Sequence, residues 1–153
     1  MHTLINILLV IAAFFCMEFM AWFTHKYIMH GFLWVLHKDH HIRDGRKVEW
    51  NDVFAVIFAL PSILLIYAGV MNQVSYLLSF GIGIAIYGCS YFMFHDVYIH
   101  QRLKILAGFS NRYLRATVKA HKEHHKPNAH YNYGFLIAPM KYYKEEFRKK
   151  DSV

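Results

Sequence analysis

Ten histidines fall into four short groups built on two spacings. His25 and His30 form H-x-x-x-x-H, and His37, His40 and His41 form H-x-x-H-H; the same two patterns return in the same order at His95 and His100, then at His121, His124 and His125. On an α-helix, positions i, i+3 and i+4 share a face, so each H-x-x-H-H can aim three imidazoles in one general direction. Such a trio suits metal ligation, because neutral imidazole is a good ligand for iron, zinc, copper and nickel. Residues five apart stand about 140° around an ideal helix. His25 and His30 therefore diverge unless the helix ends or bends between them, which suggests that they serve different metals. Ten nitrogens exceed what one octahedral ion with open positions accepts, so a dinuclear centre, each metal drawing on both halves of the chain, is the simplest expectation. A lone histidine is ordinarily a satisfied polar residue or solvated surface; four spaced groups are poorly explained that way.

Other chemistries fit less well. HKEHH is neither H-E-x-x-H nor its inverse, so the helix-borne zinc hydrolase with its glutamate base is not written here. Neither a P-loop nor G-x-G-x-x-G occurs, and two cysteines, Cys16 and Cys89, make no disulfide framework or thiolate metal site. Both lie in apolar runs, where burial as small apolar groups is expected.

The elements that must carry these histidines are membrane spans. The chain of 153 residues is 56% hydrophobic, which points away from an ordinary soluble domain. Residues 3–23 are apolar apart from Glu18 and a few neutral polar residues, and residues 53–71 and 74–94 carry no charge. Each run of about 20 residues can cross roughly 30 Å of hydrocarbon. The first lacks a basic leader and is too long for a cleaved signal, so it is expected to remain in the mature chain. All 17 Lys and Arg fall within residues 24–52 and 101–153, which the positive-inside rule assigns to the cytoplasm. That puts all four histidine groups on one side of the bilayer. The apolar pieces LKILAGF and YGFLIAPM are expected to be interfacial or re-entrant, and Pro61 is expected to kink the second span.

The expected fold is thus all-α and integral to the membrane: three to four transmembrane helices with a cytoplasmic, histidine-rich di-metal cap, all in a single domain, 1–153. Positive-inside topology accounts for most of the net charge of +7, so no nucleic-acid partner is implied.

With these residues in view, the chain is similar to the bacterial β-carotene hydroxylases of the membrane fatty acid hydroxylase superfamily. The resemblance covers nearly the whole length. It rests on the four histidine groups in order, on FTHKYIMHGFLWVLHKDHH, EWND, YFMFHDVYIHQR and AHKEHH, and on the closing GFLIAP. It implies a non-haem di-iron monooxygenase of the bacterial inner membrane. Two iron ions, with dioxygen as co-substrate, would hydroxylate carbon 3 of the β-ionone rings of β-carotene. Electrons would come from an external donor, a ferredoxin and its reductase, because no flavin or haem motif is readable. The match also implies that all ten grouped histidines lie at or next to the irons. His130 falls outside the groups and is either a surface residue or an auxiliary ligand, while His2 belongs to the far side of the membrane.

Three carboxylates are candidates for hydrogen-bonding a ligand histidine. Glu18 lies seven residues before His25, two helical turns along nearly the same face, and charged residues inside spans are usually functional or paired; an interhelical polar contact is its alternative. Asp96, beside His95, and Asp52, which could instead cap the second span, are the others. Trp22, Phe23 and Phe94 are candidate contacts for the substrate ring, against an aromatic belt at the interface. The histidines set the oxidant and the pocket sets the target, so a sterol, a fatty acyl chain or carotenoid ketolation stay open as alternatives. A non-enzymatic metal-binding membrane protein is disfavoured, since its ligands should lie near the bilayer midplane.

Overall fold

The computed structural model describes residues 2–42, 46, 48–106, 108–127 and 129–149. Three of the basic residues used for orientation, Arg43, Lys47 and Lys150, lie outside that set, as does Ala107 of LKILAGF. Among the described residues there is no strand. Helix α1, His2–Phe23, runs into a π-helix, Thr24–Phe32, and then α2, Trp34–His41; α3 is Asp52–Met71 and α4 is Ser75–Tyr91, followed by a second π-helix, Phe92–Ile99. A single 3₁₀ turn, Lys104–Leu106, precedes α5, Arg112–His124, and α6, Met140–Arg148.

Three helical stretches are long and apolar enough to cross a membrane: His2–Phe32, Asp52–Met71 and Ser75–Ile99. Each begins within one residue of its apolar run, because a span must satisfy every backbone N–H internally and helix is the only way one segment can do so; the first and third continue nine and five residues past their runs, through the π-helices that carry histidines. The expected count of three to four therefore resolves to three among the described residues. LKILAGF contributes only the 3₁₀ turn, and most of YGFLIAPM is irregular chain. Helix α3 runs uninterrupted through Pro61.

Contacts divide the chain into two compact units, Met1–Ser90 and Tyr91–Val153. In the first, small residues let the spans approach closely. A Cβ on Gly83 of α4 would stand 2.5 Å from the Val10 carbonyl oxygen of α1, and one on Gly81 would meet Ile66 of α3 at 2.8 Å. Ser62 of α3 donates to the Gly81 carbonyl at 2.8 Å, which ties α3 to α4 where no water competes. Cys16 and Cys89 are exposed, contrary to the expected burial. They sit on outward faces of α1 and α4, where the surrounding apolar phase, rather than a protein core, takes up a small thiol.

In the second unit α5 and α6 pack around Ala116, Ala120, Ala138 and Tyr142. Asn111 caps α5, its Oδ1 accepting from the Leu114 N–H at 2.9 Å, as a good N-cap residue does. Across the pair, Arg115 meets Glu146 at 3.0 Å and Lys119 meets Glu145 at 2.6 Å. Lys149 and then Arg115, by hydrogen bonding, hold the Glu146 carboxyl below the usual carboxylate range. Charge is unevenly shared: the first unit has five Lys and Arg against five Asp and Glu, the second twelve against five, so the whole surplus of seven belongs to the second.

Candidate metal centre

His25 and His30 lie on the first π-helix, and His95 lies on the second with His100 as its C-cap; in such helices hydrogen bonds close from i to i+5. The Leu33 N–H bonds the Ile28 carbonyl at 3.0 Å, and the His100 N–H bonds the His95 carbonyl at 2.9 Å. A wider turn brings residues five apart onto one face, so the ring centroids stand 5.0 Å apart for His25 and His30 and 4.6 Å apart for His95 and His100. The expected divergence of His25 and His30 is thereby overturned: 140° holds for an α-helix, and this segment is not one. Gly31, with φ −98° and ψ −124°, breaks the first π-helix directly after His30 and starts the chain toward α2.

Each H-x-x-H-H then folds back on its partner. In the first unit, ring nitrogens of His25, His30, His37 and His41 lie within 4.8 Å of one another. The His37 Nε2 is 3.1 Å from the His25 Nε2 and 3.2 Å from the His41 Nε2. In the second, His95, His100 and His121 gather equally closely, with the Nε2 atoms of His100 and His121 2.8 Å apart. The His125 ring stands 4.5 Å from that of His121 and 4.9 Å from that of His100. His25, His37, His95, His121 and His124 are all buried.

The donor chemistry fits a metal ion. Nitrogens about 2.0–2.1 Å from one ion stand about 3 Å apart at tetrahedral or cis-octahedral angles, and the closest pairs here span 2.8 to 3.2 Å. Both groups are all imidazole, the set preferred by late first-row ions and neglected by magnesium or calcium.

Outer groups choose which nitrogen faces inward. The His37 Nδ1 donates to the Asn51 Oδ1 at 2.7 Å and the His40 Nδ1 to the Glu49 carboxylate at 3.1 Å. In the second unit the His124 Nδ1 donates to the Tyr131 carbonyl at 2.8 Å. A neutral imidazole that donates through Nδ1 carries its lone pair on Nε2, which is how ligand histidines are usually set. Burial also pushes the His124 imidazole below its ordinary range, with His95 adding to the effect. The neutral form that binds metal is thus favoured.

The candidate carboxylates are placed as follows. Glu18 of α1 accepts a 2.8 Å hydrogen bond from the Tyr87 hydroxyl of α4, an interhelical contact. Asp96 accepts from Arg102 at 3.2 Å and lies 3.6 Å from the His95 Nδ1. Asp52 is the first residue of α3 rather than its cap; its carboxylate accepts the Glu49 N–H at 3.0 Å, because the preceding turn folds back toward α2. His130 is exposed and belongs to neither group. Trp22 and Phe23 both pack on Tyr27, with Lys26 5.2 Å over the Trp22 ring, and Phe94 meets Tyr113 edge-on at 6.3 Å. Sequence reading passed over Asn51, Glu49 and the Tyr131 carbonyl. The only available signal was the polar content of EWND, close after HKDHH.

The fatty acid hydroxylase profile matches residues 10–142, a range that holds all ten grouped histidines. This chain belongs to the fatty acid hydroxylase family. Within the family it is 40% identical over 137 residues to the β-carotene hydroxylase of Pantoea ananas, covering 88% of this chain and 78% of that protein. It is 39% identical over 138 residues to the β-carotene hydroxylase of Pseudescherichia vulneris, with the same coverage. The chloroplastic β-carotene 3-hydroxylase 2 of Arabidopsis thaliana is 33% identical over 144 residues, 89% of this chain but 48% of that protein. No solved structure matches this fatty acid hydroxylase significantly.

Proposed function

We propose that the chain is a membrane monooxygenase that hydroxylates carbon 3 of each β-ionone ring of β-carotene, giving zeaxanthin by way of β-cryptoxanthin. In this reading the two units act together as one hydroxylase domain, 1–153, and two iron ions are held by the ten grouped histidines. The observation that carries it is the gathering of imidazole nitrogens within each unit, those of His25, His30, His37 and His41 in the first and of His95, His100 and His121 in the second, in a chain whose relatives are named β-carotene hydroxylases.

The reaction breaks a ring C–H bond and forms C–OH. Dioxygen is the oxidant; one atom enters the substrate and the other leaves as water, consuming two protons and two electrons from outside. When bound, the iron ions would supply the reductive activation of dioxygen that no side chain can provide. His25, His30, His37 and His41 would help to hold one ion, and His95, His100 and His121, with His125 beside them, the other; His40 and His124 complete the ten ligand candidates. The Nδ1 contacts of His37, His40 and His124 keep those rings in the ligating tautomer. The buried imidazoles also exclude water that would otherwise quench the oxidant.

The substrate is a long polyene that dissolves in the bilayer. Its ring would reach the site at the cytoplasmic ends of α1 and α4, past Trp22, Phe23 and Phe94. Electrons would arrive from a ferredoxin and its reductase. The positive second unit suits an acidic carrier, since complementary charge mainly raises the rate of encounter. The same distribution supports an inner-membrane enzyme with its centre on the cytoplasmic side.

The test is the chromatographic carotenoid profile of a bacterial host that accumulates β-carotene, expressing the chain or its His121→Ala variant. Zeaxanthin with the intact chain and none with the variant is expected. Unchanged β-carotene with the intact protein in the membrane and reductant present would overturn the substrate assignment.

A further inference from the structure

The segment 49–52 does something its sequence does not announce. Asn51 occupies the N-cap position of α3, and asparagine is among the best N-cap residues, yet its side chain makes no cap hydrogen bond. The amide oxygen instead accepts from the His37 Nδ1 at 2.7 Å, with both residues buried. Two residues earlier, the Glu49 carboxylate accepts from the His40 Nδ1 at 3.1 Å. The histidine helix returns the grip, for Asp39, between the two histidines, accepts the Trp50 N–H at 2.6 Å. Asp52 closes the turn by accepting the Glu49 N–H at 3.0 Å. A local preference abandoned at a buried site marks a competing requirement, and here that requirement is the orientation of two imidazoles.

We infer that Asn51 and Glu49 are positioning residues for the metal centre. By accepting from Nδ1 they lock His37 and His40 in the tautomer whose Nε2 lone pair faces the ion, and the Asp39 and Asp52 contacts hold the segment against α2. The inference rests on the metal-binding reading proposed above and deepens it. The alternative is that residues 49–52 merely join α2 to α3, in which case any side chain that preserves the fold would serve.

The experiment titrates the purified full chain with cobalt(II), whose visible spectrum reports its ligands, in competition with a chelator and with helicity followed by far-UV circular dichroism. The variants are Asn51→Ala, Asn51→Asp, Glu49→Ala and Glu49→Gln. Loss of an outer hydrogen bond typically costs 10–100-fold in metal affinity. The two alanine variants are expected to weaken cobalt binding by about that factor and to alter its absorption bands, while Asn51→Asp and Glu49→Gln, which keep an acceptor, stay within about threefold of the parent. If alanine variants bind as tightly as the parent, the positioning role is wrong and the metal reading stands. Acceptor-retaining variants as weak as the alanine ones would also overturn it, because the segment would then matter for shape alone. A parent chain that binds no cobalt would overturn the metal reading and this inference together. Should Asn51→Ala fail to fold, the Glu49 pair on its part-exposed segment still decides between these outcomes.

Discussion

Replacing Gly83 by alanine would put a Cβ 2.5 Å from the Val10 carbonyl oxygen and 2.6 Å from the Ala13 Cβ. Ordinary contacts between such atoms lie at about 3.5 Å or more, so α1 and α4 would have to part by about 1 Å. Overpacking of this kind costs about 1–3 kcal/mol. The same span contains its own control, since a Cβ on Gly88 would meet nothing within 4 Å. Gly88→Ala should be neutral or gain up to about 1 kcal/mol from helix propensity. Both variants can be unfolded in mixed micelles by titration with dodecyl sulfate and followed by far-UV circular dichroism. Gly83→Ala should also slow turnover, because α1 leads directly into the π-helix bearing His25 and His30, and a displacement of about 1 Å at a reacting centre can cost about 100-fold. Equal stability and turnover in the two variants would refute the close approach of α1 and α4.

Tyr87→Phe removes the 2.8 Å hydrogen bond to the buried Glu18 carboxylate and should destabilise the protein by about 1.5–3 kcal/mol in the same titration; no change would show that the pair contributes nothing. If an acidic carrier docks on the positive second unit, its apparent KM should rise as ionic strength goes from about 0.01 to 0.15 M, and more steeply for the parent than for a Lys122→Glu, Lys126→Glu variant. A salt-independent KM would contradict this. The depressed Glu146 carboxyl stabilises the α5–α6 pair above its unfolded range, and that contribution is lost as pH falls through its folded value. Acid sensitivity of the second unit below about pH 5 should therefore shrink in Glu146→Gln, as read by thermal melts across pH, and an unaltered acid limb would contradict the assignment.

The three spans were legible because uninterrupted apolar length is a demand the bilayer imposes on sequence directly. The histidine groups were legible too, as donors, but their convergence was not. Spacing of five predicts divergence only if the turn is α-helical, and nothing local in THKYIMH or HDVYIH announces the π turn that reverses the conclusion. Tyr87 could not be matched to Glu18, 69 residues away, because the pairing depends on how α4 packs on α1 through Gly83. Asn51 was hidden by its own propensity. Next to Asp52 at the head of a helix it reads as capping chemistry, and only tertiary contact with His37 diverts it.

The central claim is that the four histidine groups together form two clusters that each hold an iron ion, and iron analysis of the purified chain tests it most directly. The intact protein should carry two irons, one for each cluster, and single replacements His37→Ala and His121→Ala should each lower the content toward one with helicity retained. Active protein with one iron or none, or iron content unchanged by both replacements, would contradict the account.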